Sequence, residues 1–234
     1  EDQLVASGSD DVLIGRFKVK ATDEDFEVTK IGIFANDSGT SDSFSDITIK
    51  YPTSLSAPTT LDGTSTQTVS TSTGVTFNGL SFMVPSTGAN IDNVVFEVYA
   101  SAASHNDDGG GADSADSLQV LVPAYAATFE ATGLGSGTTK DGDDSGTVAA
   151  ALASNEAYVF KSVPTVSVDS DSSNSIVYGT DTEVMRFTVD ADANGDLALL
   201  ALKLDVSSSG ISTGTTGLGW AQAIAQNRDN PSTD

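Results

Sequence analysis

The sequence predicts an all-β protein built as a β-sandwich of Greek-key or jelly-roll type, with about eleven or twelve strands and little helix. Three observations carry this expectation. Short runs of Val, Ile, Phe and Thr alternate with polar residues at a period of two, as half-buried strands do. Gly, Asp, Asn and Ser gather in the gaps between those runs, where turn chemistry belongs. Helix-favouring Lys, Glu, Gln and Arg are sparse.

In order, the first strand is Val12–Lys20, with Leu13, Phe17 and Val19 among polar neighbours. Phe26–Phe34 alternates Phe26 and Val28, then Ile31 and Ile33, with a one-residue slip that reads as a bulge. Phe44–Tyr51 sets Ile47, Ile49 and Tyr51 against Thr48 and Lys50. Val75–Phe77 and Leu80–Val84 flank Asn78-Gly79, which reads as a hairpin turn or as a bulge within one long strand. Val94–Ala100, Ser117–Val122, Tyr125–Ala131, Ala157–Val163, Thr165–Asp169, Glu183–Val189 and Leu197–Val206 complete the series. Val148–Ser154 and Trp220–Gln226 are the two short helix candidates.

Composition bounds the function. Against 33 Asp and Glu stand 10 Lys and Arg, a formal net charge of −23 over 234 residues. Phosphate contacts need clustered cations, so nucleic acid is an unsuitable partner, as is an anionic membrane surface. No apolar run reaches the ~18 residues of a membrane span, which argues against insertion. There is no cysteine, which excludes disulfides, thiol catalysis and thiolate metal sites. The acidic, cysteine-free composition fits an exported protein. Glu1-Asp2-Gln3-Leu4 has no leader pattern, so the expectation is a mature extracellular or cell-surface chain whose signal peptide has been removed.

An internal repeat organises the chain. Asp11–Ala21 and Asp181–Ala191 share Asp, Arg, Phe, Val and Ala at a spacing of 170 residues. One inserted residue later, Asp25–Val28 matches Asp196–Leu199, and Ile31 and Ile33 fall opposite Leu202 and Leu204. Both copies read as strand, acidic hairpin, strand. The expected division is a sandwich unit over 1–162, followed over 163–234 by the opening strands of a second, incomplete repeat and a frayed tail.

Phe77–Pro85, Ala131–Thr139, Val159–Ser167 and Met185–Asp192 resemble stretches of the tandem β-sandwich repeat surface proteins exported by small-genome uncultivated bacteria. The resemblance covers most of residues 10–206 and consists of strand and turn types without catalytic residues. It implies a surface or appendage role. A looser analogy, of architecture only, is to strand-donating, fibre-forming jelly-roll subunits.

Asp190, Asp192, Asn194 and Asp196 have the oxygen ligands of a D-x-D-x-N-G-D calcium loop, with Gly195 in place. The closing glutamate of such a loop falls at Ala201, and Asn194-Gly195 is a hairpin signal in its own right, so the turn reading outweighs the Ca2+ reading. No cofactor is required by any motif. Asp107, Asp108, Asp113 and Asp116, and likewise Asp141, Asp143 and Asp144, read as solvated loops. His105 lies among small polar residues, so a surface histidine outweighs a Ser–His–Asp triad. Asn36-Asp37-Ser38, in a turn-like segment, is a sequon for glycan decoration.

These readings converge on a non-enzymatic structural subunit of an extracellular filament or surface layer, a homo-polymer whose copies donate strands to one another, with fold-back of the C-terminal strands within one chain as the other route. An adhesin or binding-module stalk is the alternative, and a secreted hydrolase the weaker one. The expected assembly residues are Val163, Val166, Val168, Phe187, Val189, Leu197, Leu199 and Leu202. They are the apolar positions of strands whose own repeat is incomplete.

Overall fold

A computed structural model describes residues 3–37, 43–69, 74–86, 94–105, 111–123, 126–144, 151–169, 185–192 and 195–198. Fourteen strands occupy them: β1 (Gln3–Ala6), β2 (Val12–Val19), β3 (Phe26–Asp37), β4 (Phe44–Tyr51), β5 (Gly63–Thr68), β6 (Val75–Val84) and β7 (Val94–Ala102). There follow β8 (Asp116–Val122), β9 (Phe129–Gly133), β10 (Thr139–Asp141), β11 (Leu152–Ala153), β12 (Ala157–Phe160), β13 (Thr165–Val168) and β14 (Phe187–Asp190). One 3-10 helix, Ala126–Thr128, precedes β9. The protein is all-β, as the alternation predicts.

The strands form an eight-stranded sheet, a four-stranded sheet and a separate two-stranded ribbon. In the larger sheet β1, β12, β8, β3, β9 and β10 follow one another, with β11 on β8 and β6 on β3. The smaller sheet runs β2-β7-β4-β5. The chain passes back and forth between these sheets from β2 to β8, so most connections cross the sandwich. The β2–β3 connection is one of these. The expected acidic hairpin at residues 21–25 is therefore a crossing between sheets, because alternation fixes which face a strand buries and not which neighbour it pairs with.

β3 is the spine of the larger sheet. It pairs with β6 over Phe26–Ile33, with β9 over Phe26–Ile31 and with β8 over Phe34–Asp37. The expected slip is present: both ladders shift between Val28 and Lys30. β6 is one continuous strand, with Lys30 opposite Asn78 and Val28 opposite Phe82. Asn78-Gly79 is thus a bulge and not a hairpin, with Gly79 at φ +68°.

Several expectations are corrected. Ala126–Thr128 is 3-10 helix where strand was expected, and Thr128 Oγ1 donates to the Pro123 carbonyl at 3.2 Å. Leu152–Ala153, expected in a helix, is a strand paired with Leu121 and Val122, because ladder bonds outweigh the helix propensity of a short Ala run. Asn36 lies in a strand opposite Gln119, not in a turn. Trp220–Gln226 lies outside the described residues.

The two sandwich sheets close over a single apolar core. Phe77, Phe82, Ile31, Ile33, Ile47, Ile49 and Leu118 are fully buried in it. Four aromatic rings run through it. Phe17 stacks on Phe96 with centroids 5.3 Å apart, Phe96 meets Phe82 edge-on at 5.9 Å, and Phe82 lies 5.7 Å from Tyr51. Phe82 comes from the larger sheet and the other three rings from the smaller, so the contacts clamp the layers together.

Candidate assembly surface

β13 and β14 pair antiparallel with each other and with neither sandwich sheet: Thr165 opposite Asp190, Val166 opposite Val189, Ser167 opposite Thr188 and Val168 opposite Phe187. Period-two alternation then divides the ribbon. Val166, Val168, Phe187 and Val189 share one face, and Thr165, Ser167, Thr188 and Asp190 the other. The apolar face is poorly covered, with Val166 63% and Val168 67% exposed. Val189 is also exposed and Phe187 half-buried. Arg186 Nη1 reaches Asp169 Oδ2 at 3.2 Å and fastens one end on the polar side. Val163, half-buried, donates its N–H to Asp192 Oδ2 at 2.9 Å, and Leu197 is exposed. Leu199 and Leu202 lie outside the described residues.

Three of the four candidate calcium ligands fall within the described residues. Asp190 ends β14 on its polar face, Asp192 binds the Val163 N–H, Asp196 is exposed, and Asn194 lies outside the described residues. Among the described residues no three acidic or histidine side chains form a metal-binding group. Asp116 accepts from Ser43 Oγ at 2.9 Å and from the Asp113 N–H at 3.0 Å. Asp144 accepts from the Asp141 N–H at 3.2 Å. Asp143 is held above the usual carboxylate range, first by its hydrogen bond to Asp141 and then by the nearby Asp141 charge. Asp107 and Asp108 lie outside the described residues. His105 Nδ1 is 2.9 Å from the Ala112 carbonyl oxygen. Gly210-Ile211-Ser212-Thr213-Gly214, which fits the pattern of a nucleophile elbow, lies outside the described residues as well.

Two acidic side chains have structural partners that spacing alone does not reveal. Glu24, in the β2–β3 crossing, is gripped by the β9–β10 turn. It accepts from the Gly135 N–H at 2.8 Å, the Ser136 N–H at 2.7 Å and Ser136 Oγ at 2.6 Å. The Ser136 hydroxyl, then the two backbone donors, hold its carboxyl below the ordinary range. These bonds tie the β2–β3 crossing to the turn Gly133–Gly137 of the larger sheet. Glu97, on the outward side of β7, accepts from Tyr99 Oη at 2.5 Å and from Arg16 Nε at 2.7 Å, and Lys50 Nζ sits 4.0 Å over the Tyr99 ring. The Tyr99 hydroxyl, more than the Arg16 hydrogen bond and charge, holds the Glu97 carboxyl below its ordinary range. This outward network satisfies itself.

One edge feature escapes a strand-by-strand reading. Among the described residues β2 stands at the edge of the smaller sheet, and β7 is its ladder partner. The signal for it lies in the repeat, which places Arg16, Phe17 and Val19 of that edge strand in register with Arg186, Phe187 and Val189 of the ribbon. Comparison with protein-family models, with curated proteins and with solved structures finds no match.

Proposed function

We propose that this chain is a non-enzymatic structural subunit of an extracellular filament or surface layer, assembled from copies of itself through its β13–β14 ribbon. The observation that carries the reading is the ribbon's exposed apolar face. A two-stranded sheet alone is marginal in water, and its valine face, with outer edges unpaired among the described residues, favours addition to another sheet. Export is supported by the cysteine-free, strongly acidic composition. A heterologous contact of this kind propagates unless its rotation closes a ring, so the product is a fibre or lattice.

Electron microscopy and sedimentation of the full chain test the proposal. Concentration-dependent ordered polymers are expected, together with loss of polymers on deleting 163–234. Monodisperse single particles at every concentration would count against assembly. Polymers from the truncated chain would place the contact elsewhere.

A further inference from the structure

Backbone hydrogen bonds show which edge of each strand is in use. In an antiparallel sheet, successive residues point their N–H and C=O groups to opposite edges. The Val69 N–H donates to the Ser45 carbonyl, so the odd residues of β4 face β5 and Asp46, Thr48 and Lys50 face β7. Through the β4–β7 register, Glu97, Tyr99 and Ser101 face β4, which leaves Val94, Phe96 and Val98 to face β2. Their partners Val19, Phe17 and Gly15 spend their backbone groups on β7. Arg16, Lys18 and the following Lys20 therefore point theirs out of the open edge.

The ribbon follows the same rule. The Asp169 N–H donates to the Arg186 carbonyl, so Arg186, Thr188 and Asp190 face β13. In the repeat these positions are the equivalents of Arg16, Lys18 and Lys20. The edge that β13 covers on β14 is the edge that, among the described residues, stands open on β2.

We infer that the open edge of β2 is the acceptor for β13 of a second copy, paired antiparallel with Thr165 opposite Lys20, Val166 opposite Val19, Ser167 opposite Lys18, Val168 opposite Phe17 and Asp169 opposite Arg16. The inference rests on the assembly reading above and names its interface. β13 leaves its own β14 for the equivalent strand of a neighbour, so the main-chain bonds it makes are conserved. What changes is the apolar face. Val166 and Val168 move to the core side, beside Val19 and the buried Phe17. Antiparallel docking through the other edge of β13 would place both valines among the outward Arg16 and Lys18, because a one-residue shift reverses the faces. The pleat thus selects exchange over simple addition.

Charge agrees. Arg16, Lys18 and Lys20 are three of the chain's 10 cations, set along one edge of a protein of net charge −23. Asp169 would meet Arg16 as it meets Arg186 at 3.2 Å within the ribbon. Beside that edge, Gln3, Asn155, Glu156 and Ala157 line an open groove with Leu13 and Arg16. Gln3 Nε2 donates to the Leu13 carbonyl at 3.0 Å and closes the ladder at that end.

Because the protein has no cysteine, engineered thiols report the register without background. Val19 and Val166 would form a pair not hydrogen-bonded to each other, with Cα atoms ~4.5 Å apart, within disulfide range. Full-length Val19→Cys and isotopically heavy Val166→Cys chains are mixed, oxidised and mapped by mass spectrometry. The control mixes Lys18→Cys with Val166→Cys, whose side chains would point to opposite faces. A second pair, Arg16→Cys with Asp169→Cys, leaves Val19 in place and guards against misfolding from that change; it gives up the Arg16–Glu97 bond but keeps the Tyr99 donor on Glu97. The expected result is a heavy–light 19–166 or 16–169 link at least about ten-fold above the control, since proximity in the register governs the yield. Polymers without either link would overturn this acceptor edge and leave the assembly reading standing. Absence of both polymers and links would overturn the two together.

Discussion

Replacing Val166 and Val168 together by threonine separates the two environments of β13. Threonine keeps the volume and β-branching of valine, so the strand propensity of the ribbon is preserved. In the free chain the two residues are 63% and 67% exposed, and the added hydroxyls stay in water. The melting temperature should therefore be unchanged. Once the strand lies beside Phe17 and Val19 the hydroxyls face an apolar core. A buried hydroxyl without a partner costs about 1–3 kcal/mol in protein mutational data. Two of them cost at least about 2 kcal/mol, which at ~1.4 kcal/mol per decade weakens each subunit contact by about 30-fold or more. Light scattering across a dilution series gives the critical concentration for polymerisation. It should rise by that factor in the double variant and stay put in Ser167→Ala, which alters the outward face. A double variant that polymerises within about three-fold of the parent concentration would refute burial of this face on assembly.

Other expectations concern the sandwich itself. Phe82→Ala removes the ring that joins the two sheets and should cost about 3–5 kcal/mol in denaturant unfolding, whereas an outward position such as Lys18→Ala should stay within about 0.5 kcal/mol. Gly74 has φ +94° and an added Cβ would collide with the Ile33 carbonyl, while Gly79 at φ +68° has open space. Gly79→Ala should therefore cost only the backbone strain of about 1–2 kcal/mol, and Gly74→Ala clearly more, in the same unfolding assay. Glu24 has a lowered carboxyl pKa in the folded state, so its stabilisation is present above the ordinary carboxylate pKa and is lost as pH falls through the folded value. Glu24→Gln should melt below the parent at pH 7, with the gap closing as the pH drops below ~4; a gap constant from neutral to strongly acid pH would contradict the role assigned to that carboxylate.

The parts of the fold that were legible from sequence are those where one face is buried. Ile47, Ile49 and Tyr51 alternate because they meet a core, and their strand reads directly. β5 is Gly-Thr-Ser-Thr-Gln-Thr, an edge strand held by its ladder to β4, and polar residues on both faces leave no period to read. Asn78-Gly79 allows a turn or a bulge, and only the continued pairing of β3 on both sides of it decides. The ribbon's alternation was visible in Val166, Val168, Phe187 and Val189. Their exposure was not, because it depends on whether a second layer faces them. The grip of Ser136 on Glu24 spans 112 positions in sequence and leaves no local pattern at all.

The parallel pairing of β1 with β12 bears on how the sandwich would respond to tension. Gln3 lies opposite Ala157 and Ala6 opposite Phe160, so the two strands point the same way. Tension entering ahead of Gln3 and leaving beyond Phe160 pulls them in opposite directions along their length. The ladder is then loaded in shear, with its slanted bonds strained together instead of being peeled apart one at a time. Resistance to pulling is governed by the rate of forced opening and not by equilibrium stability. A four-residue parallel strand with one core side chain, Val5, thus lies in shear across that load path.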